Sequence, residues 1–275
     1  MTDPPLLSVV LPTFNSGLTL ERCLSTLFSQ EFAHFEILLV DGVSTDNTLS
    51  IAENFKQQYG RMTILSEKDE GTYDAMNKGI AMAKGKWLYF LGSDDWLYNN
   101  KVFGDIFGNP EVLKYDVIYA NVFRTGLQKV YDGPFSNKKL IAKNICHQAI
   151  FYQRTVFAIT GMYNTRYKIL ADWDHNYKWF FNPAISKTYV DLVVANYTDH
   201  GMSGLKEDEV YQSEKFLNIY RHVYQYLDPA LKLAVLKLII YSYHIRKKYL
   251  KAVPFLGLFL TESLKKVLPR KAIHG

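Results

Sequence analysis

Two adjacent acidic residues, Asp94 and Asp95, follow an apolar segment at residues 88–91. Neighbouring carboxylates repel each other, and both lose hydration when a site is partly closed. A hard divalent cation such as Mg²⁺ or Mn²⁺ relieves both costs, because it binds carboxylate and phosphate oxygens well. We therefore predict that Asp94 and Asp95 are metal ligands at the end of a buried strand.

A second acidic segment is centred on Asp172, at the start of a predicted helix over residues 172–181. Asp172 is a candidate general base that takes the proton from an attacking hydroxyl group. The alternative is structural, because an acid in the first helical turn often caps the helix and interacts with its dipole. If Asp172 is not the base, Asp174 is the next candidate.

The turn after the first apolar segment is a candidate nucleoside site, with the Phe14 ring packing on a base and the Asn15 amide meeting its polar edge. Neither G-x-G-x-x-G nor the Walker A pattern occurs in the sequence, which disfavours hydride transfer and P-loop chemistry. Ser16 is also a candidate cap for the following helix, a role that is compatible with a nucleoside site. Asp41 ends the second apolar segment and would accept a hydrogen bond from a base or a ribose, or else cap its own loop.

Two histidines, His147 and His200, lie in polar segments outside the predicted helices. Either could ligate a metal or hold a phosphate, but a lone histidine is more often structural or exposed. We take His200 as a candidate metal ligand beside Asp94 and Asp95, and His147 as a weaker one.

Short apolar segments alternate with amphipathic ones through the first hundred residues, in a β-α-β-α-β-α-β order. This order predicts an α/β fold with a Rossmann-like, mainly parallel sheet flanked by helices. Ligands of such sheets bind beyond the carboxyl ends of the strands, where the polar residues above are found. Further strands are predicted at residues 116–122, 148–152 and 187–195, and helices at 207–226 and 229–249. We predict an α/β domain over residues 1–204 and a helical, basic C-terminal region over residues 205–275.

The net charge of +5 is unevenly distributed. Residues 231–275 hold ten Lys or Arg and one acid, a charge of +9, which leaves −4 for residues 1–230. This distribution argues against a nucleic-acid partner and favours an anionic membrane surface for the tail. No apolar run approaches the roughly 20 residues that span a bilayer, so we predict interfacial helices or, alternatively, a helical cap packed on the core.

The two cysteines, Cys23 and Cys146, lie far apart and have no metal-like spacing. This usage fits a reducing compartment. Residues 1–7 contain no Lys or Arg and lack the pattern of a secretory signal. We therefore expect a cytoplasmic protein that is peripheral at the inner face of the cell membrane.

Five ordered motifs resemble those of family-2 glycosyltransferases of the GT-A fold, close to bacterial exopolysaccharide enzymes of the colanic acid or amylovoran type. The resemblance runs from Ser8 to about Gly204. The motifs are residues 8–15 (SVVLPTFN), 40–46 (VDGVSTD), 67–79 (EKDEGTYDAMNKG), 85–87 (GKW) and 93–95 (SDD).

The resemblance implies an inverting transfer from a nucleoside-diphosphate sugar, commonly a UDP-sugar, with Mn²⁺ or Mg²⁺ as cofactor. It implies that Asp95 is the principal metal ligand, that Asp94 approaches the ribose or the metal, and that Asp172 is the base. Ala171 departs from the family, which often has Glu there. The acceptor implied is a saccharide, linked to a polyprenyl diphosphate. The residues expected at the nucleotide are Pro12, Thr13, Phe14, Asn15, Asp41, Asp69 and Asp94.

Two other functions fit parts of the sequence. A catalytically inactive nucleotide-sugar-binding or scaffold subunit of a polysaccharide assembly complex would explain Ala171. A nucleotidyltransferase would share the α/β sheet, but the first strand is followed by no basic, glycine-rich triphosphate loop.

Overall fold

The computed structural model describes residues 4–198 and 207–267. The chain divides into two compact units, Met1–Asp208 and Glu209–Gly275, and each is described by itself. The first unit contains the carboxylates discussed above. The second is helical.

The first half of the α/β unit alternates strands and helices in the predicted order. Each strand begins and ends within two residues of its apolar segment. The elements are β1 (Leu7–Thr13), α1 (Leu20–Phe28), β2 (Phe35–Asp41), α2 (Thr48–Tyr59), β3 (Met62–Ser66), α3 (Thr72–Met82) and β4 (Trp87–Phe90).

The second half of this unit is less regular. Two short 3₁₀ turns, Val112–Lys114 and His147–Ala149, interrupt its connections. The elements are β5 (Trp96–Leu97), α4 (Val102–Phe107), β6 (Val117–Arg124), β7 (Lys129–Tyr131), α5 (Asn137–Ala142), β8 (Ile150–Gln153), α6 (Thr155–Thr160), α7 (Ala171–Phe180) and β9 (Lys187–Tyr197).

Within the described residues, nine strands form one sheet in the order β3-β2-β1-β4-β8-β6-β9-β5, with β7 paired to β6. The strands β3, β2, β1 and β4 are parallel. Strand β8 is antiparallel to both β4 and β6, and β5 is antiparallel to β9. The sheet is therefore parallel in its first half, as predicted, and mixed in its second half.

Helices cover the parallel strands closely. Strands β1 and β2 are buried almost throughout, which explains their continuous apolar sequences. In α1 the buried residues include Leu20, Leu24 and Leu27, at helical spacing. Helix α3 approaches β1 at Gly79, where a Cβ atom would lie 2.3 Å from Val10 Cγ1.

The C-terminal unit contains α8 (Glu209–His222), α9 (Pro229–Ile245) and α10 (Tyr249–Val267). Helix α9 begins as expected for a capped helix, since Asp228 Oδ1 accepts hydrogen bonds from the N–H groups of Ala230 and Leu231. The Phe255 ring of α10 packs on Tyr243 and Tyr220. None of the described helices is long and apolar enough to span a membrane.

Candidate active site

The carboxyl ends of the four parallel strands lie along one edge of the sheet. The Gly42 N–H donates to the Thr13 carbonyl oxygen at 2.9 Å, which joins the end of β1 to the loop after β2. Ser16 Oγ lies 2.7 Å from Ser93 Oγ, which joins the loops after β1 and β4. The prediction that Ser16 caps α1 with its side chain is wrong, because that hydroxyl faces Ser93 and α1 has no side-chain cap.

Asp95 is buried in a turn directly after β4. Its Oδ1 accepts a hydrogen bond from the Thr198 N–H at 2.8 Å, and its Oδ2 accepts one from Gln148 Nε2 at 2.7 Å. Asp94 is half-buried, and its carbonyl oxygen accepts hydrogen bonds from Arg22 Nη2 and Thr198 Oγ1. Arg22 and Thr198 therefore hold the backbone at Asp94, while Thr198 and Gln148 hold the carboxylate of Asp95.

The environment of the pair opposes the ionisation of Asp95. Burial and the negative charge of Asp94 raise the pKa of Asp95 to about 7, although the hydrogen bonds from Thr198 and Gln148 and the nearby His147 act in the opposite direction. A divalent cation would supply the missing positive charge.

Gly92 leaves space for both carboxylates. A Cβ atom at this position would lie 2.8 Å from Asp94 Oδ1 and 2.8 Å from Asp95 Oδ2, so the two oxygens approach a common point. Asp94 and Asp95 therefore fit as two ligands of Mg²⁺ or Mn²⁺, the remaining positions being taken by water and phosphate.

No group of three His, Cys, Asp or Glu side chains suited to a metal occurs in the part of the chain that the structure describes. The predicted third ligand, His200, lies outside the described residues.

Asp172 is buried at the start of α7. Its Oδ1 accepts a hydrogen bond from the Trp173 N–H at 2.8 Å and lies 3.0 Å from Tyr73 Oη. Tyr73 Oη is also 2.6 Å from the Ile169 carbonyl oxygen, so its single hydrogen can serve either acceptor. Burial and the charge of Asp172 raise the pKa of Tyr73 well above its ordinary value, so its hydroxyl remains a donor.

The 3₁₀ turn at His147–Ala149 connects the two acidic sites. His147 Nδ1 lies 3.3 Å from Asp172 Oδ2, and the next residue, Gln148, donates to Asp95. His147 Nε2 is buried and has no hydrogen-bond partner among the described residues. Two consecutive side chains therefore contact the candidate base and the candidate metal ligand.

Asp41 is fully buried at the end of β2. Its Oδ1 accepts from Ser44 Oγ at 2.5 Å, and its Oδ2 accepts from the Ser44 N–H at 3.0 Å and from Ser66 Oγ at 2.7 Å. These contacts match the loop-capping alternative. A nucleoside would share this carboxylate with Ser44 and Ser66.

The loops beside Asp41 carry an exposed ring and two unusual backbone conformations. The Phe14 side chain is 62% exposed, so its ring is available to stack on a flat ligand. Asn15 (φ 46°) and Val43 (φ 65°) adopt left-handed conformations, which cost energy in a β-branched residue such as Val43. Asn15 Oδ1 accepts from the Thr45 N–H at 2.9 Å, so the Asn15 carbonyl group holds the loop.

Asp69 belongs to the same group of loops. Gly42 permits its approach, because a Cβ atom at Gly42 would lie 2.7 Å from Asp69 Oδ2 and 3.4 Å from Phe14 Cδ2. Pro12 and Thr13 are buried at the end of β1, and Thr13 Oγ1 donates to the Leu11 carbonyl oxygen at 3.1 Å. Phe14 and Asp69 thus both lie next to Gly42. The Thr13 carbonyl oxygen accepts the hydrogen bond from the Gly42 N–H.

Sequence reasoning missed Tyr73 and Thr198. Tyr73 lies in the motif at residues 67–79, so membership of that motif could have marked it as a site residue. Thr198 acts on Asp95 through its backbone N–H from 103 residues away, and no side-chain pattern could reveal that.

The mixed α/β sheet flanked by helices is the GT-A fold of sugar-transferring enzymes. The chain belongs to glycosyl transferase family 2, whose sequence model matches residues 8–175. As a glycosyltransferase, it takes a sugar from a nucleotide-sugar donor and passes it to a saccharide acceptor.

Among related sequences, the chain is 43% identical over 202 residues to a PGL/p-HBAD biosynthesis glycosyltransferase of Mycobacterium tuberculosis, covering 72% of this chain and 78% of that protein. It is 33% identical over 119 residues to the glycosyltransferase GlyG of Streptococcus pneumoniae, covering 43% and 39% of the two chains.

Among solved structures, S. aureus TarS in complex with UDP superposes with a TM-score of 0.66 at 18% identity, covering 86% of this chain and 72% of that one. The mannosyltransferase PcManGT of Pyrobaculum calidifontis, in complex with GDP-Man and Mn²⁺, gives 0.56 at 16% identity, covering 96% and 76%. These likenesses concern the fold alone.

Proposed function

We propose that this glycosyltransferase is an inverting, metal-dependent enzyme that moves a sugar from a UDP-sugar to a saccharide hydroxyl group. The observation that carries the proposal is the pair of contacts made by His147 and Gln148, one to Asp172 and the other to Asp95. Through these contacts, two adjacent residues of one turn link the proposed proton acceptor, Asp172, to the proposed cation ligand, Asp95.

In the reaction, the acceptor oxygen attacks the anomeric carbon as the bond to the diphosphate oxygen breaks, which inverts the configuration. Asp172 accepts the proton of the attacking hydroxyl group, and Tyr73 and His147 hold its carboxylate in position. A cation held by Asp94 and Asp95 would stabilise the negative charge that develops on the diphosphate. His200 is proposed as a further ligand of that cation.

The nucleoside is proposed to bind at the ends of β1, β2 and β3. Phe14 would stack on the base, and the Asn15 amide and the Asp41 and Asp69 carboxylates would meet the polar edges of the base and the ribose. The backbone of Pro12 and Thr13, at the end of β1, would form the floor of the nucleoside site. The exposed Phe14 ring next to Asp69 supports this arrangement.

The acceptor is proposed to be a growing bacterial surface polysaccharide carried on a polyprenyl diphosphate. The support for a polysaccharide is the resemblance of the motifs at residues 8–95 to those of colanic acid and amylovoran enzymes. A relative named for PGL/p-HBAD biosynthesis offers a second acceptor class. We propose a cytoplasmic location. Its support is the absence of a disulfide between Cys23 and Cys146, which fits a reducing compartment.

The Asp172→Asn variant tests the base. It should bind donor as the wild type does, while kcat falls by about 10²–10⁴-fold, because an amide cannot take the proton. Transfer is measured with a panel of nucleotide sugars and Mn²⁺, and donor binding is measured by calorimetry.

The matched control is Asp174→Asn, on the same helix. Asp174 is buried and paired with Lys178 at 2.8 Å, so its loss should affect stability more than transfer. Normal turnover by Asp172→Asn together with loss of turnover by Asp174→Asn would move the base to Asp174. A wild-type protein that binds donors but transfers none would support the scaffold function.

A further inference from the structure

We propose that one face of α10, together with the cationic turn before it, binds the surface of an anionic lipid membrane. Large apolar side chains recur along this helix at intervals of three or four residues, so they lie on one side of it. These side chains are Leu250, Val253, Leu256, Leu260 and Leu264, with exposed fractions of 88%, 60%, 47%, 55% and 58%.

Single exposed leucines are ordinary on protein surfaces, but a continuous apolar face is not. Pro254, Gly257 and Thr261, which are also exposed at matching spacing, carry no charge. The opposite side of α10 already has partners within its own unit, since Phe255 packs on Tyr220 and Tyr243. The exposed face is therefore additional to the apolar surface that this unit uses for folding.

Basic residues adjoin this face at its N-terminal end. Arg246, Lys247, Lys248 and Lys251 are all exposed, and they lie in the turn between α9 and α10 and in the first turn of α10. The single acid of residues 231–275, Glu262, is half-buried rather than exposed. Tyr249, 54% exposed, provides an amphipathic ring at the boundary between the two groups.

An apolar face that adjoins a cluster of positive charge favours an anionic membrane over a second copy of the chain. A second copy of the chain would bring an identical cluster of positive charge to the contact, whereas anionic headgroups would neutralise it. Acyl chains would receive the leucines, as they do for interfacial amphipathic helices. Because no described helix is both long and apolar enough to cross a bilayer, we propose that α10 lies in the interface.

The full-length protein should float with vesicles of phosphatidylcholine containing a quarter phosphatidylglycerol, and much less with phosphatidylcholine alone. Two variants separate the two contributions. Leu256→Gln/Leu260→Gln removes apolar contacts, and Lys247→Gln/Lys248→Gln/Lys251→Gln removes charge. Each should reduce the bound fraction at least tenfold at limiting lipid, and 0.5 M NaCl should reduce wild-type binding.

Leu127→Gln is the matched control, because Leu127 is 51% exposed on the α/β unit and should leave flotation unchanged. Transfer to a soluble acceptor should be the same in all variants, which keeps this test independent of the proposed reaction. Equal flotation of all variants would overturn the proposal. So would a wild-type dimer in light scattering that the leucine variant converts to a monomer, since the face would then be an interface between copies.

Discussion

At the scale of single residues, opposing influences act on the ionisation of Asp95. Burial and the charge of Asp94 favour its protonated form, while Thr198 and Gln148 favour the carboxylate. The result is a pKa of about 7, so a small change in the surroundings decides whether Asp95 is charged at neutral pH. A cation would shift that balance fully towards the carboxylate.

Cation binding should therefore depend on pH. Below about pH 7 the cation must displace a proton from Asp95, so Mn²⁺ affinity should fall by up to about tenfold per pH unit. The measurement is calorimetric titration with Mn²⁺ at pH 6 and pH 8. The same argument predicts that, without metal, the contribution of Asp95 to stability declines as the pH rises from about 4 to 7, because the folded state holds a proton that the unfolded chain releases near pH 4.

Asp95→Asn is the control for this titration. The amide keeps the size of the side chain but neither ionises nor binds Mn²⁺ strongly, so the pH dependence and most of the affinity should disappear. Affinity that is equal at pH 6 and pH 8 in the wild type, or turnover that persists in excess EDTA, would contradict the metal role.

At the scale of elements, α3 holds the candidate base, Asp172, in place. Asn77 Nδ2 donates to the Tyr163 carbonyl oxygen at 2.9 Å, and Asn77 Oδ1 accepts from the Tyr163 N–H at 3.0 Å. One turn earlier, Tyr73 reaches Ile169 and Asp172. The helix after β3 thereby fastens the segment that leads into α7.

Tyr73→Phe should remove the contacts of the hydroxyl group with Ile169 and Asp172 without leaving a cavity in the core, because the ring is retained. We expect kcat to fall about tenfold with an unchanged KM for the donor, since misplacing a catalytic group affects the transition state first. Steady-state kinetics check this, with Tyr115→Phe, a partly exposed tyrosine, as the control. A change confined to the donor KM would argue that Tyr73 serves the nucleotide instead.

The contact between α3 and β1 gives a stability prediction from a pair of glycines. Gly79→Ala would place a methyl group 2.3 Å from Val10 Cγ1 and should cost about 1–3 kcal/mol. Gly104→Ala, in α4, meets no atom within 4 Å and should instead stabilise the protein by about 0.5–1 kcal/mol. Urea denaturation of both variants measures the difference. Equal changes in the free energy of unfolding would mean that helix propensity alone determines the effect of both substitutions.

At the scale of the whole molecule, the sequence predicts best what local pattern determines. The alternation of apolar and amphipathic segments predicts β1 to β4 and their helices, because β1, β2 and β4 are buried on both faces and each helix is buried on one. Strands β8 and β5 are antiparallel additions whose partners lie far away in the sequence. Strand β5 has two residues, too few for any periodicity.

The candidate site divides in the same way. Asp94, Asp95 and Asp172 could be found because acids stand next to apolar segments. Their supporting contacts could not, since Gln148 and Thr198 reach Asp95 across 53 and 103 residues. The role predicted for Ser16 failed for a related reason, because a hydroxyl group with a tertiary partner no longer caps its own helix.

Gly92 has a consequence for how such a family can diverge. Every other amino acid carries a Cβ atom, which at this position would meet an oxygen of both Asp94 and Asp95. Those oxygens are at the ends of side chains that can rotate away, so a substitution would rearrange the carboxylates while the sheet stays folded. A duplicated gene could therefore lose catalysis in one step at codon 92 and still encode a stable protein, free to be kept for binding alone.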